Sequence, residues 1–200
     1  MKSRIWWLGV AGVIGVVLIL TGWKLIARPY TFQGSVIDPP APVVDFRLTD
    51  QHGGTFHLSD EKGKVVLIYF GYTNCPDECP TTMAIFKQVK DELGSQADKA
   101  RFMLITVDPE RDNSQTLGTY LAKFDPTFIG LSGSPSDLAP VWKEFGVFVE
   151  KGPVDNAGNY EMDHSTFVYV IDKDGNLRLT YAYGVEKDAI LSDVRYLVGE

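Results

Sequence analysis

The chain has 200 residues, of which 44% are apolar and 22% are charged. This composition excludes an intrinsically disordered chain and suits one globular domain with additional segments. Residues 1–28 hold four basic and no acidic side chains, so the other 15 basic and 26 acidic side chains give residues 29–200 a formal charge of −11. Because phosphate binding needs a basic surface, we expect no nucleic-acid partner.

The first predicted element is a membrane helix. Residues 5–23, IWWLGVAGVIGVVLILTGW, contain no charge, and nineteen helical residues span about 28 Å, close to the hydrocarbon thickness of a bilayer. The apolar stretch is longer than that of a cleaved signal peptide, which indicates an anchor over 1–28. A short N-terminal tail inserts most easily with its end in the cytoplasm. We therefore expect a single-pass protein of the cell membrane whose domain lies on the extracytoplasmic, periplasmic-type side.

The next segment is rich in proline. Residues 28–44, RPYTFQGSVIDPPAPVV, carry four prolines and show no clear periodicity. Such a composition predicts an extended tether over 29–40 and a folded domain over 41–200.

The domain opens with a predicted β-hairpin, in which apolar residues alternate on both sides of the pair Gly53–Gly54. The elements that follow are a buried strand 65–70, a helix from Cys79 to Gly94, a strand 101–108, a helix 114–124, a short strand 127–133, a helix from Ser134 that Pro140 should kink or shorten, a loop 151–163, a strand–turn–strand unit from Thr166 and a closing helix near 185–198. This order predicts an α/β fold, a mixed sheet flanked by helices with an added N-terminal hairpin, and a thioredoxin-like fold fits it best.

The two cysteines of the chain, Cys75 and Cys79, lie between the buried strand and the first helix of the domain. A disulfide closing so short a loop stabilises a fold by only about 2 kcal/mol, which makes a purely structural bridge a poor explanation. The helix N-terminus favours thiolates. Thiolates serve disulfide exchange and soft-metal binding alike, so the acidity of the thiols does not distinguish these two functions. The spacing Cys-x-x-x-Cys is one residue wider than that of thioredoxins.

A third candidate group is a histidine. His52 and His57 are expected to be surface residues of the hairpin. His164, in EMDHSTFVYVID, precedes Ser165, which stands where thioredoxins place a cis-proline facing their cysteines. The imidazole is therefore predicted to face the two sulfurs, as a metal ligand, as a group that tunes thiol acidity, or as a packed side chain.

Four stretches in chain order, GYTNCPDECPTTM, TVDPERDN, FIGLSGS and DHSTFVYVID, resemble the Sco/SenC family over about residues 36–198. These are membrane-anchored thioredoxin-fold proteins implicated in delivering copper to the binuclear copper centre of cytochrome c oxidase. The resemblance implies that Cys75, Cys79 and His164 bind copper, as Cu(I) or Cu(II), and that the copper-bearing subunit of the oxidase is a partner. Oxidation to a Cys75–Cys79 disulfide would give the unloaded form.

The resemblance leaves other activities open. The same residues suit a thiol-disulfide oxidoreductase that keeps the acceptor's cysteines reduced, or a redox or copper sensor. Another copper chaperone or a thiol reductase is a further expected partner. Asp108 and Asp112, in VDPERD, are expected to cap the next helix.

Overall fold

The structure is a computed structural model that describes residues 30–200. The predicted membrane helix over 5–23 lies outside this range. Within it, no helix is both long enough and apolar enough to cross a membrane. Residues 32–200 form one compact unit.

The unit contains ten strands and four α-helices. The strands are β1 Ser35–Pro42, β2 Arg47–Asp50, β3 Thr55–His57, β4 Val65–Gly71, β5 Ala100–Thr106, β6 Ile129–Ser132, β7 Val149–Lys151, β8 Met162–His164, β9 Val168–Ile171 and β10 Asn176–Tyr181. The helices are α1 Glu78–Leu93, α2 Ser114–Leu121, α3 Pro135–Glu144 and α4 Lys187–Gly199.

Eight strands form one mixed sheet in the order β1-β10-β9-β4-β5-β6-β2-β3. Strands β4, β5 and β6 are parallel neighbours, whereas the other pairs in this sheet are antiparallel. The predicted hairpin is confirmed, because β2 pairs with β3 across the turn at Gly53, whose φ is 81°. Strands β7 and β8 pair separately as a two-stranded ribbon.

The centre of the sheet is covered on both faces. All seven residues of β4 are buried, and β5 is buried except at Arg101. Since neighbouring strand residues point to opposite faces, this pattern requires helices on each side. Helix α1 supplies part of this cover through Met83, Phe86 and Val89, which are fully buried. Each such side chain stabilises the fold by about 1.5–3 kcal/mol.

Two segments differ from the sequence prediction. Residues 35–40, assigned to the tether, belong to β1, which pairs with β10 with a register shift between Val36 and Ala41. An edge position tolerates the prolines of this strand because one side of it donates no ladder hydrogen bonds. The predicted loop 151–163 is bracketed by β7 and β8, whose three-residue strands are too short to leave an alternating pattern in the sequence.

Candidate metal centre

The two cysteines lie where the chain passes from the central strand β4 into helix α1. Cys79 is fully buried in the first turn of the helix, and Cys75 is half-buried in the preceding loop. The backbone N–H of Cys79 donates to the sulfur of Cys75 at 3.4 Å. One sulfur therefore receives an N–H group that the start of a helix otherwise leaves unpaired.

His164, the last residue of β8, brings a third donor atom to the cysteines. Its Nε2 lies 4.0 Å from Sγ of Cys79, although 85 residues separate the two in sequence. Its Nδ1 lies 3.0 Å from the carbonyl oxygen of Ser165. Because a carbonyl only accepts, Nδ1 carries the proton and Nε2 presents its lone pair to the sulfurs. The structure thus places the imidazole as the comparison with thioredoxins predicted.

Two tyrosines fix the ring of His164. The rings of Tyr69 and Tyr72 meet it edge to face, at centroid distances of 6.2 and 5.8 Å. The hydroxyl of Tyr69 is buried and has no hydrogen-bond partner among residues 30–200. The imidazole therefore lies beside the sulfurs in contact with both tyrosine rings.

The two thiols differ in acidity. A hydrogen bond from the Cys79 thiol, together with the backbone N–H groups of Cys79 and Asp77, lowers the pKa of Cys75 to about 4 against the opposing effect of burial. Donation of that hydrogen bond, burial and the negative charge on Cys75 raise the pKa of Cys79 well above its ordinary value. Cys75 is therefore the more acidic of the two thiols.

Gly71, the last residue of β4, makes the space for Cys79. A Cβ at this position would lie 2.8 Å from Sγ of Cys79 and 2.8 Å from Cε1 of Tyr69. Only glycine fits so close an approach. The sequence prediction missed this residue, because a Gly at a strand end carries no signal about what it approaches.

Asp112 also supports the site, and the prediction that it caps helix α2 was wrong. Helix α2 is capped by Asn113, whose side chain accepts from the N–H of Thr116, and neither Asp108 nor Asp112 caps it. Asp112 is buried and binds Thr73 in the cysteine loop instead. No sequence signal marked this contact.

His52 and His57 remain on the hairpin. His52 is exposed, and Nδ1 of His57 lies 3.9 Å from the carboxylate of Asp45. Strand β3 is the sheet's edge opposite β1, and β4 is separated from it by three strands. These histidines are therefore not part of the site.

The chemistry of the donor set is soft, with two sulfurs and one imidazole nitrogen. Such donors suit Cu(I) or Zn²⁺ rather than Mg²⁺ or Ca²⁺. Within residues 30–200, no group of three or more His, Cys, Asp and Glu side chains is arranged to hold a metal ion as it stands. Cys75, Cys79 and His164 are neighbours, and binding a metal between them requires their side chains to turn toward a common point.

The fold and this site define a class: thioredoxin-like domains in which a Cys-x-x-x-Cys loop at a strand–helix junction faces a histidine. The family model described as SCO1/SenC matches residues 37–199. The chain therefore belongs to the SCO1/SenC family.

Individual relatives agree with this assignment. A SCO2-like protein of Rickettsia felis is 35% identical over 164 residues, which cover 81% of this chain and 80% of the relative. The structure of Bradyrhizobium japonicum ScoI with copper bound is 38% identical, with a TM-score of 0.73, over 78% of this chain and 99% of that one. BsSco is described as having a disulfide switch and as a member of the Sco family of cytochrome c oxidase assembly proteins. BsSco is 26% identical, with a TM-score of 0.65, over 84% of this chain and 98% of that one.

Proposed function

We propose that this protein is a membrane-anchored copper carrier that delivers copper to the binuclear copper centre of cytochrome c oxidase, or helps to assemble it. Cys75, Cys79 and His164 hold the copper. The observation that carries the proposal is the approach of His164 Nε2 to Cys79 Sγ, with Nδ1 facing the carbonyl of Ser165. The copper-bound relative supports the choice of metal.

Copper is the cargo of such a carrier, and two thiolates with one imidazole suit it as Cu(I) in trigonal geometry. The residues of the chain control how it is released. Cys75 is half-buried, so one ligand faces an incoming protein, whereas Cys79 is fully buried. An acceptor that approaches from the loop side displaces Cys75 first. Copper then passes to the acceptor without release to solvent.

The redox state of the cysteines gates this function. When the Cys75 thiolate and the Cys79 thiol together lose one proton and two electrons to an oxidant, a Cys75–Cys79 disulfide forms and neither sulfur can act as a thiolate ligand. Tight copper binding is then lost. The disulfide switch described for BsSco supports this element of the proposal.

The proposed location follows from the N-terminal segment. On this proposal residues 5–23 are the membrane anchor, and residues 30–200 lie on the extracytoplasmic side. The acceptor is the copper-bearing subunit of the oxidase.

A copper titration tests the ligand set. The full-length, reduced protein in detergent is titrated with Cu(I) and Cu(II), and the absorption from thiolate to copper and the electron spin resonance spectrum are recorded. Cys75→Ala, Cys79→Ala and His164→Ala are expected to lower the affinity about a hundredfold or more, beyond the loss typical of a residue outside the ligand shell. His57→Ala is the control and should titrate like the wild type. Normal titration by His164→Ala would exclude this histidine as a ligand.

A second function, thiol-disulfide exchange, is favoured by the unequal thiols. A thiolate with a pKa of about 4 beside a buried thiol is the arrangement of a nucleophilic and a resolving cysteine. The metal-free protein is mixed with a peptide disulfide and its turnover is measured. Rapid turnover together with weak copper binding would establish a reductase in place of a carrier.

A further inference from the structure

Arg111, in the loop between β5 and α2, contacts two segments that carry site residues. Its Nη1 donates to the carbonyl oxygen of Tyr160 at 2.9 Å, and its guanidinium group lies 3.6 Å from the centre of the Tyr160 ring. On another side the guanidinium lies 5.7 Å from the centre of the Tyr72 ring. Its Nε forms an ion pair with Asp108.

These contacts lead directly to the cysteines and to the histidine. Tyr72 is in the cysteine loop, and its carbonyl oxygen accepts from the N–H of Cys75 at 3.3 Å. Tyr160 lies just before strand β8, which ends at His164. The hydroxyl of Tyr72 also accepts from the N–H of Met162 at 3.3 Å. Arg111 therefore connects the loop with the thiols to the ribbon with the imidazole.

An arginine is required here by the number and shape of the contacts. Asp108 is 2% exposed, so its carboxylate needs a charged partner as well as the hydrogen bond from the hydroxyl of Tyr160 at 2.9 Å. A planar guanidinium satisfies a carboxylate and a carbonyl at once while it stacks on an aromatic ring. A lysine has no such fork.

The β7–β8 ribbon needs this support because its own pairing is small. It has three cross-strand pairs, with Val149 opposite His164 at one end and Lys151 opposite Met162 at the other. An isolated two-stranded hairpin is marginally stable in water. Its position relative to the sheet therefore depends on contacts such as those of Arg111 and Tyr160.

We propose that Arg111, acting with Tyr160 and Asp108, is the positioning device that holds His164 against the two thiols. None of the three residues binds the metal. The proposal rests on the proposed function insofar as His164 is a copper ligand, but the mechanical part of it holds for the metal-free protein as well.

The metal-free part is tested by hydrogen exchange of the full-length reduced protein. Asp108→Asn/Arg111→Met removes both charges together, so that no buried charge is left alone, and Tyr160→Leu removes the ring and the hydroxyl without touching either charge. Both variants should exchange the amides of residues 149–151 and 162–164 about tenfold faster, with unchanged exchange in β4 and β5.

Arg101→Met is the matched control. Arg101 has similar exposure, binds Glu61 at 3.0 Å and donates to two backbone carbonyls, but it lies at the opposite end of β5. Its loss should leave exchange of the ribbon unchanged. The proposal is wrong if the control opens the ribbon as much as Tyr160→Leu does. It is also wrong if neither Tyr160→Leu nor Asp108→Asn/Arg111→Met opens the ribbon.

The metal-dependent part is tested by copper affinity in two backgrounds. In the wild-type background both Asp108→Asn/Arg111→Met and Tyr160→Leu should lower copper affinity about tenfold. They should also weaken the nitrogen hyperfine signal of the imidazole, while the absorption from thiolate to copper persists. In the His164→Ala background the same substitutions should cause no further loss, since they act through the missing ligand.

The outcomes separate the two proposals. An equal loss of affinity in both backgrounds would overturn the positioning role and indicate general destabilisation. Normal copper binding by His164→Ala alone would overturn the ligand set, and hydrogen exchange would still decide whether Arg111 holds the ribbon.

Discussion

The carboxylate of Asp112 accepts hydrogen bonds from both the backbone N–H and the hydroxyl of Thr73, at 3.0 and 2.5 Å. The hydroxyl of Thr106, at the end of β5, donates to the same carboxylate at 2.8 Å. Asp112 is 1% exposed, and burial raises its pKa even though these hydrogen bonds oppose the shift. Thr73 stands two residues before Cys75, so a buried carboxylate anchors the cysteine loop to the central sheet.

Asp112→Asn should destabilise the domain by about 2 kcal/mol. The amide NH2 group would replace one carboxylate oxygen, so it would face groups of Thr73 and Thr106 that now donate to that oxygen and would leave buried donors unpaired. Urea unfolding of the reduced protein, followed by fluorescence, measures the change. The control is Asp98→Asn, which alters an exposed carboxylate and should change stability by less than about 0.5 kcal/mol. An unfolding midpoint equal to that of the control would show that the anchor is unimportant.

Gly71→Ala tests the close approach of the strand end to Cys79. The added methyl group would lie 2.8 Å from the sulfur and from the Tyr69 ring, so we expect a loss of about 1–3 kcal/mol from overpacking. The displaced sulfur should also lower copper affinity. Gly199→Ala is the matched control, because a Cβ there has no neighbour within 4 Å and its helical site favours alanine. Equal stability of the two variants would contradict the steric account.

Much of this fold was predictable because its signals are local. The signals are the continuous apolar run of β4 and, in helix α1, buried residues at spacings of three and four, namely Met83, Phe86, Val89 and Leu93. The contacts of Gly71 with Cys79 and of Asp112 with Thr73 were not predictable, since a single polar or small residue does not name its distant partner. The position of His164 was predicted only because the known thioredoxin fold shows that the segment before β9 faces the cysteine loop.

The acidity of Cys75 predicts an unusual pH dependence of alkylation. With its pKa lowered to about 4, Cys75 should react with iodoacetamide at a nearly constant rate from about pH 5.5 to 8, because it is already a thiolate throughout that range. Cys79, whose pKa is raised and whose side chain is buried, should remain unlabelled. Peptide mass spectrometry of the reduced, metal-free protein distinguishes the two sites. A rate that rises tenfold for each pH unit would contradict the prediction.

The same acidity links stability to pH with a defined sign. Because the folded pKa of Cys75 lies below the reference value of 9.0, its contribution is full above about pH 9 and is lost as the pH falls toward about 4. Cys75→Ser lacks this contribution. The difference in unfolding free energy between the reduced wild type and this variant should therefore shrink as the pH is lowered from 8 to 5. A difference that grows on acidification would reverse the assigned order of the two thiols.

Copper binding should stabilise the reduced protein and leave the oxidised protein unchanged. A ligand that binds only the folded state at about a thousand times its Kd adds about 4 kcal/mol, which raises the midpoint of thermal unfolding of a domain of this size by about 10 °C. Scanning calorimetry with Cu(I) held in a weak competing chelator measures the shift. Treatment with the oxidant diamide converts Cys75 and Cys79 to the disulfide and should abolish it, and His164→Ala should retain only part of it. An equal shift in the oxidised protein would place the copper away from the cysteines.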